Sequence, residues 1–550
     1  MTTYSQDQLN SFSKEQLIML FLAMQDQMVQ MNRNLENLIE QIRISNQQRF
    51  GRKTEKSDQI AGQMSLFNEA EVTADPDAPE PEEETVVSIR RRKSSGKRND
   101  DFKDLPHEEH HHALTDEQLD AFFGKGNWRR MKSDKYIRVR CQPARYTVEN
   151  HEVDVAVGTD GDHQDEFLRG DRPADLLRNS VVTPSLMAAI LNGKYTNAIP
   201  LYRIEQEFRA NGINISRQNM SNWVVRVSEK YLNAVWRRMK EELLKQDVTQ
   251  ADETTCQVIH DNDPNDPEDR KSAAGHKNYM WVYRSGEFNK ERPIVLYEYQ
   301  RGRHHKYPEA FYRNYKGIVE TDGLQQYHML EDLLPGFTNA SCWVHARRDF
   351  ANAIKALGKT DKKALRQTIA YQALAKIADI YKIENTLADL TPDERLRERK
   401  KEIVPLADEF FAWAKERLAD TSALPKGVTA SGLNYCVSQE KYLRVFLTDG
   451  NVPIDNSASE RAIRPFTIGR KNWVIMDSVR GAQASAVVYS VVETAKLNSL
   501  NIYNYFEYLL SELAKLPRDE NGNIAAADEE LDPLIPWSDR LPSECRKPRR

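Results

Sequence analysis

Apolar residues fall at Leu17, Phe21, Met24, Met28, Met31, Leu35, Leu38 and Ile42, in alternating steps of four and three. That spacing is a heptad seam. Neither proline nor glycine interrupts residues 8–50, so this span is expected to be a coiled coil joining copies of the chain. Methionines in the seam leave the oligomer number poorly specified. Residues 51–104 have no apolar period. Within them DPDAPEPEEE precedes a basic tract, Arg90–Arg98; neither run can bury a core, so both are expected to be linker. In residues 105–175 the pattern alternates from Lys135 to Val157, predicting two or three strands of a small β module. His107, His110, His111 and His112 have no zinc spacing and read as a solvated run.

Residues 176–240 turn helical. PLYRIEQEFRANG predicts a helix ending at Gly212, a turn over Ile213–Ile215, and a second helix capped by Ser216. This is helix–turn–helix spacing, with Arg217, Gln218, Asn219 and Asn222 near the start of the recognition helix, side chains of the type that reach base edges.

From Asp247 the texture becomes α/β. Strand-like runs are Val248–Val258, Tyr279–Tyr283, Ile294–Tyr299, Gly317–Thr321 and Ala340–Trp343; helical runs are Pro308–Tyr315, Leu324–Leu333 and the stretch from Ala346. Three strands, then helix, strand, helix, strand, helix, is the order of a ribonuclease-H-like domain. Its first part is expected over 245–350, an all-α insertion over 351–445, and its second part over 446–480. A helical segment (481–516) and a tail (517–550) follow. The chain is thus a multi-domain α+β/α/β protein.

Composition changes this picture little. A length of 550 residues suits several domains, and 39% hydrophobic residues permit real cores. The net charge of −5 means that any nucleic-acid surface must come from local clusters. The five cysteines, Cys141, Cys256, Cys342, Cys436 and Cys545, form no CxxC pair, which argues against a disulfide framework and a zinc site. Leu17–Met24 is too short for a membrane span, so a cytoplasmic protein without membrane contact is expected.

Asn451–Arg480 concentrates the charge. Glu460 stands among Arg461, Arg464, Arg470, Lys471 and Arg480, beside Trp473. Asn456 or Ser457 is positioned to cap a helix that carries Glu460, and Pro465 predicts a break or bend. The basic residues are candidate phosphate contacts. Three carboxylates stand out: Asp252 on the first strand, Asp322 at the end of the fourth, where Gly323 permits a tight turn, and Glu460. In the proposed fold the first and fourth strands are neighbours, so the aspartates converge and the late helix brings Glu460. Glu253, Glu320 and Asp455 are adjacent competitors. A three-carboxylate set suits Mg2+ or Mn2+, and two such ions roughly 4 Å apart serve phosphodiester chemistry.

ADET, VETDG, CWVHARRDF, PIDNSASERAIRP, GRKNW and ETAKLN occur in this order. Together they resemble the transposases of the insertion sequence 66 family, TnpC type. GRKTEKSDQI with SLF near residues 51–67 is similar to the segment after that family's leucine zipper, KYTNAIPLYRIEQEF to its helix–turn–helix region, and LDPLIPW to its C-terminus. The resemblance implies a DDE transposase with catalytic, metal-holding Asp252, Asp322 and Glu460. It also implies that Cys342 and His345 support the active site, and it sets Arg347 and Arg348 beside them as further DNA contacts. The implied partners are double-stranded DNA, as terminal inverted repeats and target, a second copy of the chain, and accessory proteins of the same element. The family's cysteine zinc module has only Cys141 here, so no zinc is expected. Two other readings remain: a DNA-binding regulator or inactive remnant, which would bind without cutting, and a ribonuclease-H-like nuclease, which would cut without preference for element ends.

Overall fold

A computed structural model of the chain describes residues 174–178, 180–261, 277–357, 362–420 and 427–548, with short stretches at 12–14, 16–19, 21–22, 24–25, 28, 117, 125, 146–151, 155–157 and 167–169. It divides into two units: 1–78 with 175–547, and 79–174 with 548–550. In the second unit, strands β1 (Val155–Val157) and β2 (Phe167–Arg169) pair antiparallel, with Val155 opposite Arg169. The linker, the histidine run and most of the β module lie outside the described residues. So does most of the coiled-coil span; Leu17, Phe21, Met24 and Met28 are described, helical and exposed.

The larger unit begins with helices α1 (Pro184–Leu191), α2 (Leu201–Ala210), α3 (Arg217–Val227) and α4 (Asn233–Leu243). Gly212 takes φ 77° in the α2–α3 turn, a backbone that glycine adopts at no steric cost. The Ser216 hydroxyl then accepts the Asn219 N–H, capping α3.

The centre is a five-stranded sheet of β3 (Val248–Cys256), β5 (Asn278–Ser285), β6 (Val295–Gln300), β7 (Gly317–Thr321) and β8 (Phe337–Ser341), ordered β6-β5-β3-β7-β8. β3–β5 and β5–β6 are antiparallel; β3–β7 and β7–β8 are parallel. Short helices α5 (Lys306–Phe311) and α6 (Gln325–Leu333) connect β6 to β7 and β7 to β8. β3 and β7, the first and fourth long strands, are neighbours as expected above. Short β4 (Val258–His260) pairs separately with β9 (Met476–Ser478).

The last strand lies earlier than Ala340–Trp343, and Trp343 already begins α7 (Trp343–Leu357). The apolar run ASCWV reads as one strand, but the Trp343 ring is buried in the adjoining helical core and its Nε1 donates to the Leu443 carbonyl at 2.8 Å. That core draws on α7, α9 (Ile369–Glu384), α11 (Val404–Ala419), α12 (Gly427–Ser438) and α13 (Glu440–Leu443), with α8 (Lys362–Gln367) and α10 (Pro392–Glu398) between them in the chain. It buries Phe350, Ile377, Phe410, Phe411 and Phe446.

The chain returns through α14 (Ser457–Trp473) and α15 (Val479–Leu497), and α16 (Ile502–Leu513) packs on α1. Two expectations for α14 need correction. The helix runs through Pro465 to Trp473; proline there removes one helical N–H donor, and buried Ile463 and Phe466 on either side hold the helix in place. Asn456 gives no side-chain cap, because its amide is used across the core, as described below. Edge strand β6 is closed by α15: Thr494 Oγ1 and Ser490 Oγ accept the Val295 and Tyr297 N–H groups at 3.0 and 2.7 Å. Among the described residues no helix is long and apolar enough to cross a membrane.

One buried group is under-satisfied. Glu320 on β7 has no exposed surface, and neither carboxyl oxygen has a hydrogen-bond partner among the described residues. Burial, then the nearby Asp455, pushes its pKa well above the usual carboxylate range. The folded protein therefore keeps a proton that the unfolded chain releases, so this group's contribution is present at low pH and is lost as pH rises. Glu320→Gln should remove that slope: its thermal midpoint relative to wild type should be higher at pH 8 than at pH 5. Parallel midpoint–pH curves would refute this.

Candidate active site

The parallel register of β3 and β7 ends at Gln250 opposite Glu320. Side chains two residues apart leave a strand on the same face. Asp252 and Asp322, each two residues further along, therefore stand level past the end of the ladder. Gly323 follows with φ 83° and turns the chain away. A Cβ there would collide with the Tyr435 hydroxyl, which donates to the Asp322 carbonyl at 3.0 Å. The helical insertion thus holds the backbone of one site aspartate.

Asp252, Glu253 and Asp322 each offer a carboxylate oxygen, all within 4.8 Å of one another. Glu253 is 1% exposed at its side chain, with Arg303 at 2.5 Å and the Tyr327 hydroxyl at 3.1 Å; Arg303 also lies 3.6 Å from Asp322. Glu460 lies outside this group. It stands on the first turn of α14, one third exposed, 3.8 Å from Arg348. Burial, and after it Glu253 and Asp322, drives the Asp252 pKa well above the carboxylate range. Glu253 is pushed up to about 7 by burial and by Asp322, against the pull of Arg303. Glu460 is raised by burial, against the pull of Arg348. Crowded, desolvated carboxylates that resist ionisation are a hard-oxygen donor set awaiting positive charge, so the residues present fit a divalent ion such as Mg2+ or Mn2+.

Asn456 joins the two halves. It is fully buried; its Nδ2 donates to the Ala251 carbonyl at 2.8 Å, its Oδ1 accepts from Gln250 at 3.3 Å, and its N–H donates to Cys342 Sγ at 3.2 Å. The strand of Asp252 and the helix of Glu460 are thereby fastened together. Cys342 is a core thiol whose pKa is pushed well above its normal value by burial and then Asp455, so its chemistry here is that of a hydrogen-bond acceptor. His345 is lowered to about 4 by burial and then Arg348, leaving a neutral ring at pH 7, and its Nδ1 has no partner among the described residues.

The basic candidates are dispersed and largely engaged. Arg461 pairs with Glu287 at 2.5 Å, Arg480 with Glu229 at 2.7 Å, and Arg470 donates to the Thr255 carbonyl. Arg464 and Lys471 also have partners. Arg347 is half-buried and Arg348 exposed. On α3, Arg217, Gln218, Asn219 and Asn222 are all exposed. Sequence reasoning missed Arg303, Tyr435 and the bridging role of Asn456, whose partners are remote in the chain, and it ranked Glu253 only as a competitor.

Comparison with known proteins closes the question of kinship. A family model described as "Transposase IS66 family" matches residues 179–484, and one described as "Transposase C of IS166 homeodomain" matches residues 37–109. Uncharacterized protein y4qI of Sinorhizobium fredii (strain NBRC 101917 / NGR234) is 27% identical, over 68% of this chain and 66% of its own length. Uncharacterized protein y4hP of the same strain is 25% identical, over 61% and 60%. The chain thus spans slightly less than two thirds of the length of these relatives. A solved pre-cleavage Mos1 transpososome is 14% identical over 52% of this chain and 83% of its own, with a TM-score of 0.11 that carries no argument about fold. The first family model takes in the helix–turn–helix, the sheet, the insertion and α14, more than half of the chain, and the chain belongs to the IS66 family of transposases.

Proposed function

We propose that this chain is a DDE transposase with a ribonuclease-H-like core, which binds the terminal inverted repeats of its element and cuts and joins DNA there. The observation that carries the reading is the convergence of Asp252 and Asp322 past the ends of neighbouring parallel strands, with α14 fastened alongside. Asp252, Asp322 and Glu460 would hold the divalent ions. When bound, those ions supply the charge that activates a water or a 3′-hydroxyl and stabilises the departing oxygen of a phosphodiester. The chain's own residues supply placement. Tyr435 and Asn456 fix the backbones of the carboxylates. Arg348 stands where a phosphate entering beside Glu460 would meet it. Arg303 and Tyr327 hold the Glu253 side chain in place. The coiled coil would pair two copies and hence two ends, with accessory proteins of the element as further partners.

The test is cleavage of a labelled duplex carrying the element's own terminal repeat, with Mg2+ or with EDTA. Metal-dependent nicking at the repeat boundary is expected. Binding without cleavage, with the accessory proteins also supplied, would favour a regulator, and cleavage indifferent to the repeat would favour a general nuclease.

Metal binding should also show in stability. Asp252 and Glu253 hold protons in the folded state above the pH at which the unfolded chain releases them. Their contribution is therefore present at low pH and is lost as pH rises, for Glu253 through about 7. A divalent ion takes the ionised form. Mg2+ or Mn2+ should raise the thermal midpoint more at pH 8 than at pH 5. An equal rise at both values would argue that the ion binds elsewhere.

A further inference from the structure

A cleft of about 510 Å3 opens between the turn after α1 and the corner joining α14 to β9; none of its lining residues belongs to the carboxylate group. At its wall lies Lys194. Its Nζ sits 4.2 Å from the centroid of the Trp473 ring and 5.2 Å from that of Tyr195. Among the described residues Lys194 has neither a hydrogen-bond acceptor nor a carboxylate partner. It is half-buried, and burial pushes its ammonium down to about 8. A desolvated cation held by two aromatic faces and lacking a counter-charge is one that an incoming anion would stabilise.

The backbone next to the lining residues is strained. Ala198 and Val474 both take positive φ, 55° and 64°, which is strained for a residue with a Cβ and most of all for a β-branched one. The Asn472 amide donates to the Ala198 carbonyl at 2.7 Å and staples the two strained corners together. Asn222, Val225 and Arg226 of α3 form the rim, with Ser478 and Arg480 opposite. Gln218, Asn222 and Val225 are one helical stripe, spaced i, i+4, i+7, so the exposed face of α3 leads into the cleft. The acidic lining residue, Asp477, is 81% exposed and lies 3.3 Å from His260.

We propose that this cleft is a phosphate clamp, in which Lys194 receives a phosphodiester of the DNA strand that runs on from the exposed face of α3. The proposal rests on the reading that the chain binds duplex DNA. The contact is sequence-independent and fixes how α3 is set on its site.

The test uses the full-length chain. Binding to a terminal-repeat duplex and to an unrelated duplex is measured against salt for wild type, Lys194→Met and Lys194→Arg. In parallel, wild-type amines are acetylated at pH 8 and mapped by mass spectrometry in buffer, with duplex, or with inorganic phosphate. Lys194→Met should flatten the log–log salt slope by about 0.9 on both duplexes, Lys194→Arg should keep the slope, and duplex should shield Lys194 from acetylation. The shielding needs no variant to fold. An unchanged slope with unshielded Lys194, in a wild type that binds DNA, overturns the clamp and leaves the DNA reading standing. Shielding by inorganic phosphate but not by duplex assigns the cleft to a free anion and also overturns it. A wild type that binds no duplex sinks both readings.

Discussion

Asp252→Asn and Asp322→Asn should each lower metal-dependent cleavage at the element end on the order of 10^3-fold or more, while duplex binding changes little. The two side chains stand level because β3 and β7 are parallel neighbours in register, and their oxygens share one 4.8 Å group. Replacing either carboxylate with an amide keeps its size but removes the charge that a divalent ion requires. The fall should be similar for either variant and far from additive in the double variant, because groups that act as a unit fail together. Glu460→Gln separates the two candidates for third carboxylate. Glu253 already gives its oxygens to Arg303 and Tyr327, whereas Glu460 is partly open, with Arg348 at 3.8 Å. Glu460→Gln should therefore match the aspartate variants, and Glu253→Gln should be milder by about tenfold or more, since it loses a positioning partner only. Cleavage that survives Glu460→Gln but is lost in Glu253→Gln would reassign the third position.

The parts of this site legible in the sequence are those set by strand order. Asp252 and Asp322 follow from counting strands, because a fourth strand entering by a helical crossover lies parallel to the first in this order. Gly323 was legible because a turn just past a strand end calls for positive φ. What could not be read depends on contacts between remote residues. Asn456 has the composition and place of a helix cap, yet its amide reaches Ala251, 205 positions earlier. Trp343 continues an apolar run and so reads as strand, although the core that receives its ring lies some hundred residues further on. Pro465 reads as a helix break or bend by local chemistry, and the helix is not broken there, because packing on both sides overrides one missing donor. Glu253 was named only as a competitor beside Asp252, and side chains of neighbouring strand residues ordinarily diverge; here the strand has passed its last parallel pair, and the two carboxylates meet. The basic stretch around Glu460 read as a free phosphate surface, whereas Arg461 and Arg480 hold Glu287 and Glu229.

Arg399→Ala is expected to cause the largest loss of stability in the chain. Arg399 has no exposed surface, yet it carries a full charge. Its Nε and Nη2 donate to Glu384 at 2.9 and 2.5 Å, and its Nη1 donates to the carbonyls of Phe446, Asp449 and Val452 at 2.7, 3.0 and 2.9 Å. These partners come from α9 and from the returning segment just before Asn456 and Glu460. One side chain thus ties the insertion to the strand of backbone that leads into the site. Removing it leaves the Glu384 carboxylate buried without its partner and strands three carbonyls, a loss on the order of 3–5 kcal/mol. A chain of several domains does not unfold in one step, so the measurement is amide hydrogen exchange over residues 446–456. Protection there should fall roughly a hundredfold to a few thousandfold. Arg399→Lys should rescue little, because an ammonium cannot reproduce the planar fork. Arg399→Met with Glu384→Leu should recover much of the loss, since it replaces the ion pair with apolar volume and leaves no charge behind. The coupling to function follows from the same geometry: Arg399→Ala should raise the metal concentration needed for half-maximal cleavage, because the segment that aims α14 has lost its anchor. Unchanged exchange over 446–456 in Arg399→Ala would show that the insertion and the returning segment are held together by their apolar core alone.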